Sequence, residues 1–356
     1  MEFAEAGLCP VSYFLSERRS LMEQENKEIR SFEKLWEAVQ VLQKEIEYSY
    51  VEALGETLQN IASGNQAQQV EGQPDAATIA QLNKAYQELA LESFTKEQIR
   101  RMIQYTFLKA AKEDGLQTNH QMTPDSIGLL VAFMVERLTE NQETLALADF
   151  ACGSGNLLST VQLFLQESGK TIQMTAIDND EVLVHLALQA FALESLDVRV
   201  MLQDGLSDLL VDPIDIALSD LPVGYYPVDE RAKEFKTHAK EGHSYAHHLL
   251  IEQHLNYLKP GGFGLMIVPT NLFETEESVL LLEHLQKDSF VQAMLAFPKT
   301  LFKNQQYSKS LLIFQKKGKG AKQARQVLLG DIPDMKNIDK FRKFTQTFEK
   351  WAKELS

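Results

Sequence analysis

Thr144-Leu145-Ala146-Leu147-Ala148-Asp149-Phe150-Ala151-Cys152-Gly153-Ser154-Gly155-Asn156-Leu157-Leu158 decides the reading of this chain. Leu145 to Ala148 is an apolar run with the length and composition of a buried parallel strand. It breaks into a glycine turn and restarts as an amphipathic helix from Asn156. A strand, turn and helix of this kind leave backbone N–H groups facing a ligand at the carboxyl edge of a sheet. Gly153 and Gly155 permit a positive φ and close approach, and Asp149 adds a carboxylate at the strand end.

One glycine turn is weak evidence, so the strands that follow carry the argument. Ile172 to Ile177 reads as a second strand ending in Asp178, roughly 20 residues beyond the glycines, where an acid that binds ribose hydroxyls sits in a nucleotide-binding βαβ unit. Val198 to Leu202 reads as a third, leading to Gln203-Asp204-Gly205, and Ile214 to Leu218 as a fourth, leading to Asp220-Leu221-Pro222-Val223-Gly224-Tyr225. Leu158 stands where a third glycine would pack helix against strand around a pyrophosphate, which disfavours NAD. A nucleoside cofactor without phosphate, S-adenosylmethionine, suits the pattern.

The stretch DFACGSGNLL resembles the motif D-P-A-C-G-S-G-x-x-L of the class I S-adenosylmethionine-dependent methyltransferases, in particular the adenine-specific (N6-amino) DNA methyltransferases of the type I modification-subunit kind and their small stand-alone bacterial relatives. Phe150 replaces the family's proline. The likeness runs from about Gln121 to about Lys317. It implies a Rossmann-like, doubly wound α/β sheet of seven strands closed by an antiparallel hairpin. It also implies a cofactor site formed by Thr123, Pro124, Asp149, Ala151, Cys152, Gly153, Gly155, Asn156, Asp178, Asn179, Asp204, Gly205 and Asp220. Thr123-Pro124 matches the family's T-P segment, which lies against the cofactor's methionine moiety. As a bare sequence, Thr123 or Asp125 can cap a helix whose stripe is Ile127, Leu130, Val131, Met134 and Leu138. Cys152 reads foremost as a small packing residue.

In the amino methyltransferases the fourth strand ends in (Asn/Asp)-Pro-Pro-(Tyr/Phe), which accepts hydrogen bonds from the exocyclic amine and stacks on the flipped base. Register places Asp220-Leu221-Pro222-Val223 there, with Tyr225 or Tyr226 as a substitute for the aromatic that Val223 lacks. Base–aromatic stacking is worth about 1–3 kcal/mol, so its loss matters. Three readings stay open: transfer to adenine N6 in DNA, transfer to RNA or to a protein glutamine amide, and a cofactor-binding module without catalysis.

The 356 residues, 44% of them hydrophobic, suit one catalytic domain and a smaller one. Residues 1–21 read as a leader or upstream-start segment before Met22-Glu23-Gln24-Glu25. Residues 22–115 read as an all-α domain, with a stripe through Ile29, Phe32, Leu35, Trp36, Val39, Leu42 and Ile46, a loop over 57–77, and a capping box at Thr95-Lys96-Glu97-Gln98. Residues 116–330 form the methyltransferase domain and 331–356 a helical tail. Arg100, Arg101 and Lys109 read as a solvated helix face, offset by Glu97, Glu113 and Asp114.

No apolar run approaches the roughly 20 residues of a membrane span, so a cytoplasmic protein is expected. Cys9 and Cys152 make neither a disulfide framework nor a zinc site. His243, His247, His248 and His254 cluster in sequence without a carboxylate or cysteine at ligand spacing, and no metal is expected. The formal charge of −15 opposes a phosphate backbone at long range. Between Ser289 and Gly330, however, there is no acid, and Lys299, Lys303, Lys309, Lys316, Lys317, Lys319, Lys322 and Arg325 cluster there. This segment is the expected contact with DNA.

Overall fold

The computed structural model describes residues 10–116, 122–302 and 307–355, with side chains from Lys27 onward. Cys9, Gln121, Lys303 and the first nine residues of the expected leader lie outside the described residues. The chain divides into two compact units, Met1–Leu116 and Gln117–Ser356.

The first unit is helical: α1 (Pro10–Ile46), α2 (Tyr50–Ala62), α3 (Ala76–Leu89) and α4 (Lys96–Glu113). Helix α1 runs unbroken across the expected start at Met22. Its stripe buries Leu35, Trp36, Val39 and Leu42, whereas Ile29 is half exposed. The Thr95/Gln98 capping box forms at α4, and a second, unforeseen one forms at Ser49/Glu52. Asp114, just past α4, accepts from the Tyr50 and Val51 N–H groups at 2.9 and 2.8 Å, placing a carboxylate at the N-terminus of α2. The expected loop is shorter than its polar composition suggested, because α2 continues to Ala62 and buries Thr57, Leu58, Asn60 and Ile61. The solvated-face reading fails at Arg100, which is buried with its guanidinium on Glu97. Arg101 pairs with Glu28, and the Lys109 ammonium lies 4.4 Å from the Trp36 ring centroid.

The second unit is built on one sheet in the order β3-β2-β1-β4-β5-β7-β6-β8. The strands are β1 (Thr144–Asp149), β2 (Thr171–Asp178), β3 (Val198–Leu202), β4 (Ile214–Asp220), β5 (Leu258–Pro269), β6 (Ser289–Ala296), β7 (Lys309–Lys316) and β8 (Leu328–Asp331). The first five run parallel, and β7 is antiparallel to both β5 and β6. The expected hairpin is thus present. The sheet has eight strands rather than seven, since β8 adds a short parallel edge beside β6.

Period-two alternation splits the core between the two faces of the sheet. Leu145, Leu147, Ile216, Leu218, Leu265 and Ile313 join one cluster with α5 (Asp125–Leu138) and α6 (Asn156–Glu167). Ala148, Ala217, Met266 and Leu312 join the other with α9 (Ala246–Tyr257) and α10 (Ser278–Asp288). Helices α7 (Glu181–Leu193) and α8 (Asp229–Ala232) complete the run up to β5. The segment expected as a separate tail forms α11 (Ile338–Ala352), whose Phe348, Trp351 and Ala352 enter the first cluster and so belong to this unit's core. Among the described residues no helix is long and apolar enough to cross a membrane.

Candidate functional site

Strand β1 lies between β2 and β4, where the winding of the sheet reverses, and ligands of such folds bind at the carboxyl ends of the strands beside that point. Asp149, Asp178 and Asp220 are the last residues of β1, β2 and β4, and Asp204 lies two residues beyond β3. All four line one cavity of about 420 Å³. Of the expected residues, Thr123, Ala151, Cys152, Gly153, Asn156, Asn179, Gly205, Leu221 and Pro222 line it too.

Pro124, Gly155, Val223 and Tyr225 do not line the cavity. Pro124 occupies the N-cap position of α5 and has no side-chain acceptor to cap it, while the Thr123 hydroxyl, expected as a cap, donates to Asp220 instead. Gly155 supports the turn from behind: its φ is +77°, and a Cβ there would lie 2.6 Å from the Phe191 ring. Val223 is 41% exposed. Tyr225, 59% exposed, stacks on Tyr245 with ring centroids 4.8 Å apart instead of reaching back toward the cavity.

Backbone and side-chain hydrogen bonds fix the turn. The Gly153 N–H donates to Asp178 Oδ2 at 2.7 Å, and the Cys152 N–H donates to the Ile177 carbonyl at 2.9 Å, joining the ends of β1 and β2. The Ala151 N–H donates to Asp149 Oδ1, and the Asn156 amide to the Thr123 carbonyl. Gly205 is needed for a close approach, since a Cβ there would meet the Phe150 carbonyl oxygen at 2.0 Å.

Burial pushes the Asp149 carboxyl up to about 8, helped by the charges of Asp178 and Asp220. Burial also raises Asp178, against the pull of the N–H groups it accepts from. The Cys152 thiol is raised well above its ordinary value by burial and then by Asp149, which suits a packing residue rather than a nucleophile.

Two lining residues carry interactions that the sequence reading missed. The Lys309 ammonium pairs with Asp220 Oδ1, while the Thr123 hydroxyl donates to Asp220 Oδ2 at 2.8 Å. The Tyr226 hydroxyl donates to Asp204 Oδ2, and Asp204 Oδ1 accepts from the Leu206 N–H at 2.9 Å. Among the described lining residues Lys309 is the one basic side chain, and it is paired. Aspartates with Leu183, Leu206 and Leu250 suit a ribose, an apolar ring and a sulfonium.

Both ring nitrogens of His254 are engaged, Nε2 by the Phe150 N–H and Nδ1 by the Leu250 carbonyl. His243 lies on the Asp229 carboxylate.

The basic segment is not one surface beside the cavity. Lys299 and Lys309 lie at the carboxyl edge, Lys309 opposite the last residue of β5. Strand β7 then carries the chain back, and seven rises of about 3.3 Å put Lys316 roughly 23 Å away. There the Lys316 amine donates to the Asn256 carbonyl, and Lys317 to the Gln286 carbonyl. The expected contiguous DNA contact from Lys299 to Arg325 is therefore split between opposite edges of the sheet.

A family model described as N-6 DNA methylase matches residues 95–354, and one described as the YtxK N-terminal helical domain matches residues 29–111. The chain is 36% identical over 322 residues to the uncharacterized protein YtxK of Bacillus subtilis, covering 90% of this chain and 96% of that one. A crystal structure from Listeria monocytogenes, of a protein assigned to the class I S-adenosylmethionine-dependent methyltransferases, matches with TM-score 0.85 and 36% identity over 92% of this chain and 99% of that one. The methyltransferase subunit of a type I restriction-modification system from Streptococcus thermophilus shares the fold at TM-score 0.63 and 15% identity, over 90% and 73% of the two chains.

Proposed function

Because the chain belongs to the N-6 DNA methylase family, we propose that it is a cytoplasmic S-adenosylmethionine-dependent methyltransferase that transfers a methyl group to the exocyclic N6 of adenine in DNA. The observation that carries this reading is the placement of Asp220: it ends β4, lines the cavity, and is followed by Leu221 and Pro222 on the same wall. The cofactor supplies a methyl already activated on sulfonium, so the protein's task is to place and orient. Asp178 would hold the ribose hydroxyls, Asp204 the amine of the cofactor's adenine, and the 122–123 backbone the methionine moiety. Asp220 and the Leu221 carbonyl would accept from the acceptor's amine, aligning its lone pair with the methyl.

The test is mass spectrometry of N6-methyladenine in DNA from cells overproducing the parent protein or Asp220→Ala. The proposal expects a rise with the parent alone, while Asp220→Ala keeps its cofactor affinity nearly intact. An equal background in both would exclude DNA adenine.

A second reading, transfer to a protein glutamine amide, is favoured by one observation. The aromatic platform for a flipped base is missing at Val223, and Tyr225 is engaged with Tyr245. A small planar amide needs no such platform. Labelled methyl in protein rather than DNA would decide for it, and label in neither fraction would favour a binding module without catalysis.

A further inference from the structure

Lys309 is the first residue of β7 and lies across β5 from Asp220, 89 positions away in sequence. Its side chain is 25% exposed and that of Asp220 17%, so the ion pair stands at the cavity wall and not on open surface. Thr123 fixes the other carboxylate oxygen. An ammonium has three donors, and Asp220 Oδ1 takes one of them. Any group that brings an N–H to Asp220 therefore meets a second, cationic donor beside the acceptor it came for.

We infer that Lys309 determines acceptor specificity, selecting amines whose nitrogen sits beside a hydrogen-bond-accepting atom. Adenine carries two such atoms, ring N1 directly beside the N6 amine and N7 farther off across C5, and N1 is the nearer. This rests on the proposal that adenine is the substrate. An amine donating to Asp220 then leaves N1 facing the Lys309 ammonium, and the two contacts together fix the ring's rotation. That matters at this site, because Val223 supplies no aromatic face to hold the ring. A plain alkyl amine has no such neighbouring acceptor and gains nothing from Lys309.

The test couples a substrate change to a protein change. Duplexes carry either adenine or 1-deazaadenine, in which N1 is replaced by C–H, at the position methylated in cells. The parent is expected to prefer adenine by about tenfold or more in kcat/KM, the size of a hydrogen bond to a charged group. Lys309→Met should lose that preference and Lys309→Arg should keep most of it, with calorimetry on S-adenosylmethionine confirming that each variant retains its cofactor site. An unchanged preference in Lys309→Met overturns the role of Lys309 and leaves the adenine proposal standing. No methylation of either duplex by the parent overturns both.

Discussion

Phe150 and His254 are joined twice: the Phe150 N–H donates to His254 Nε2 at 3.0 Å, and the two rings stack with centroids 4.4 Å apart. The family motif has proline here, which carries no N–H. Replacing it with phenylalanine creates a buried donor, and a fully buried histidine from α9 satisfies it. His254→Leu keeps the bulk and orphans the donor. An unsatisfied buried donor costs about 1–3 kcal/mol and a lost aromatic pair about 0.5–1.5, so urea denaturation should show a loss of about 1.5–4.5 kcal/mol. A loss below about 0.5 kcal/mol would show that the turn finds another partner.

Stability should pass through a maximum near pH 6.5. Burial lowers His247 to about 3, and His248 and His254 to about 4, from an ordinary 6.5. The unfolded chain then binds more protons than the fold below pH 6.5, and stability falls as pH falls from there toward 4. Asp149 acts oppositely. Its folded carboxyl keeps its proton up to about 8, whereas the unfolded one releases it near 3.8, so this group's contribution falls as pH rises between those values. Three imidazoles outweigh one carboxyl below pH 6.5, and Asp149 dominates above it, with Asp178 adding the same sign. Denaturation at pH 5, 6.5 and 8 measures both limbs. Asp149→Asn should flatten the alkaline one, and an unchanged slope there would refute the assignment.

Much of the α/β fold is legible in sequence because four of the parallel strands, β1 to β4, are short apolar runs ending in or just before an acid, and Asp149, Asp178, Asp204 and Asp220 mark one edge. Strand β8 was not legible: four residues at the edge of the sheet, mostly exposed, carry no hydrophobic pattern. Motif register located Val223 and Tyr225 but not their direction, which is set by the Tyr225–Tyr245 bridge. In sequence Lys309 is one of a run of cations, because its partner is remote. An antiparallel strand sends neighbours in a charge run to opposite ends of the sheet, which composition cannot show.

Asp178→Asn should weaken S-adenosylmethionine binding by more than tenfold. The carboxylate already accepts from Gly153 and Asp180, so the ribose must use its remaining lone pairs. An amide has one oxygen in place of two and presents donors on the other side. Hydrogen bonds to a charged group contribute about 1.5–3 kcal/mol each. Calorimetry gives the affinity, and a melting curve separates it from damage to the turn. Unchanged affinity in a folded variant would remove Asp178 from the cofactor site.

The proposed placement of the cofactor's adenine at Asp204 makes the opposite prediction, a gain on removing a group. Asp204 is the acid expected to accept from the cofactor's adenine amine, yet Oδ1 accepts from the Leu206 N–H and Oδ2 from the Tyr226 hydroxyl. Burial, followed by the bond to Asp204 and its charge, holds the Tyr226 phenol above its ordinary value, so the hydroxyl remains a donor across the physiological range. The incoming amine must therefore displace or share with it. Tyr226→Phe keeps the ring that lines the cavity and frees Oδ2, so cofactor affinity should rise about three- to tenfold, a fraction of what a charged hydrogen bond is worth. Asp204→Asn presents a donor to a donor in one orientation and should lower affinity. Titration calorimetry on both variants reads the pair. A fall in affinity in Tyr226→Phe would mean that the hydroxyl contacts the cofactor itself. No change in either variant would mean that the adenine amine lies away from Asp204, and that the third strand's acid serves only to anchor Tyr226.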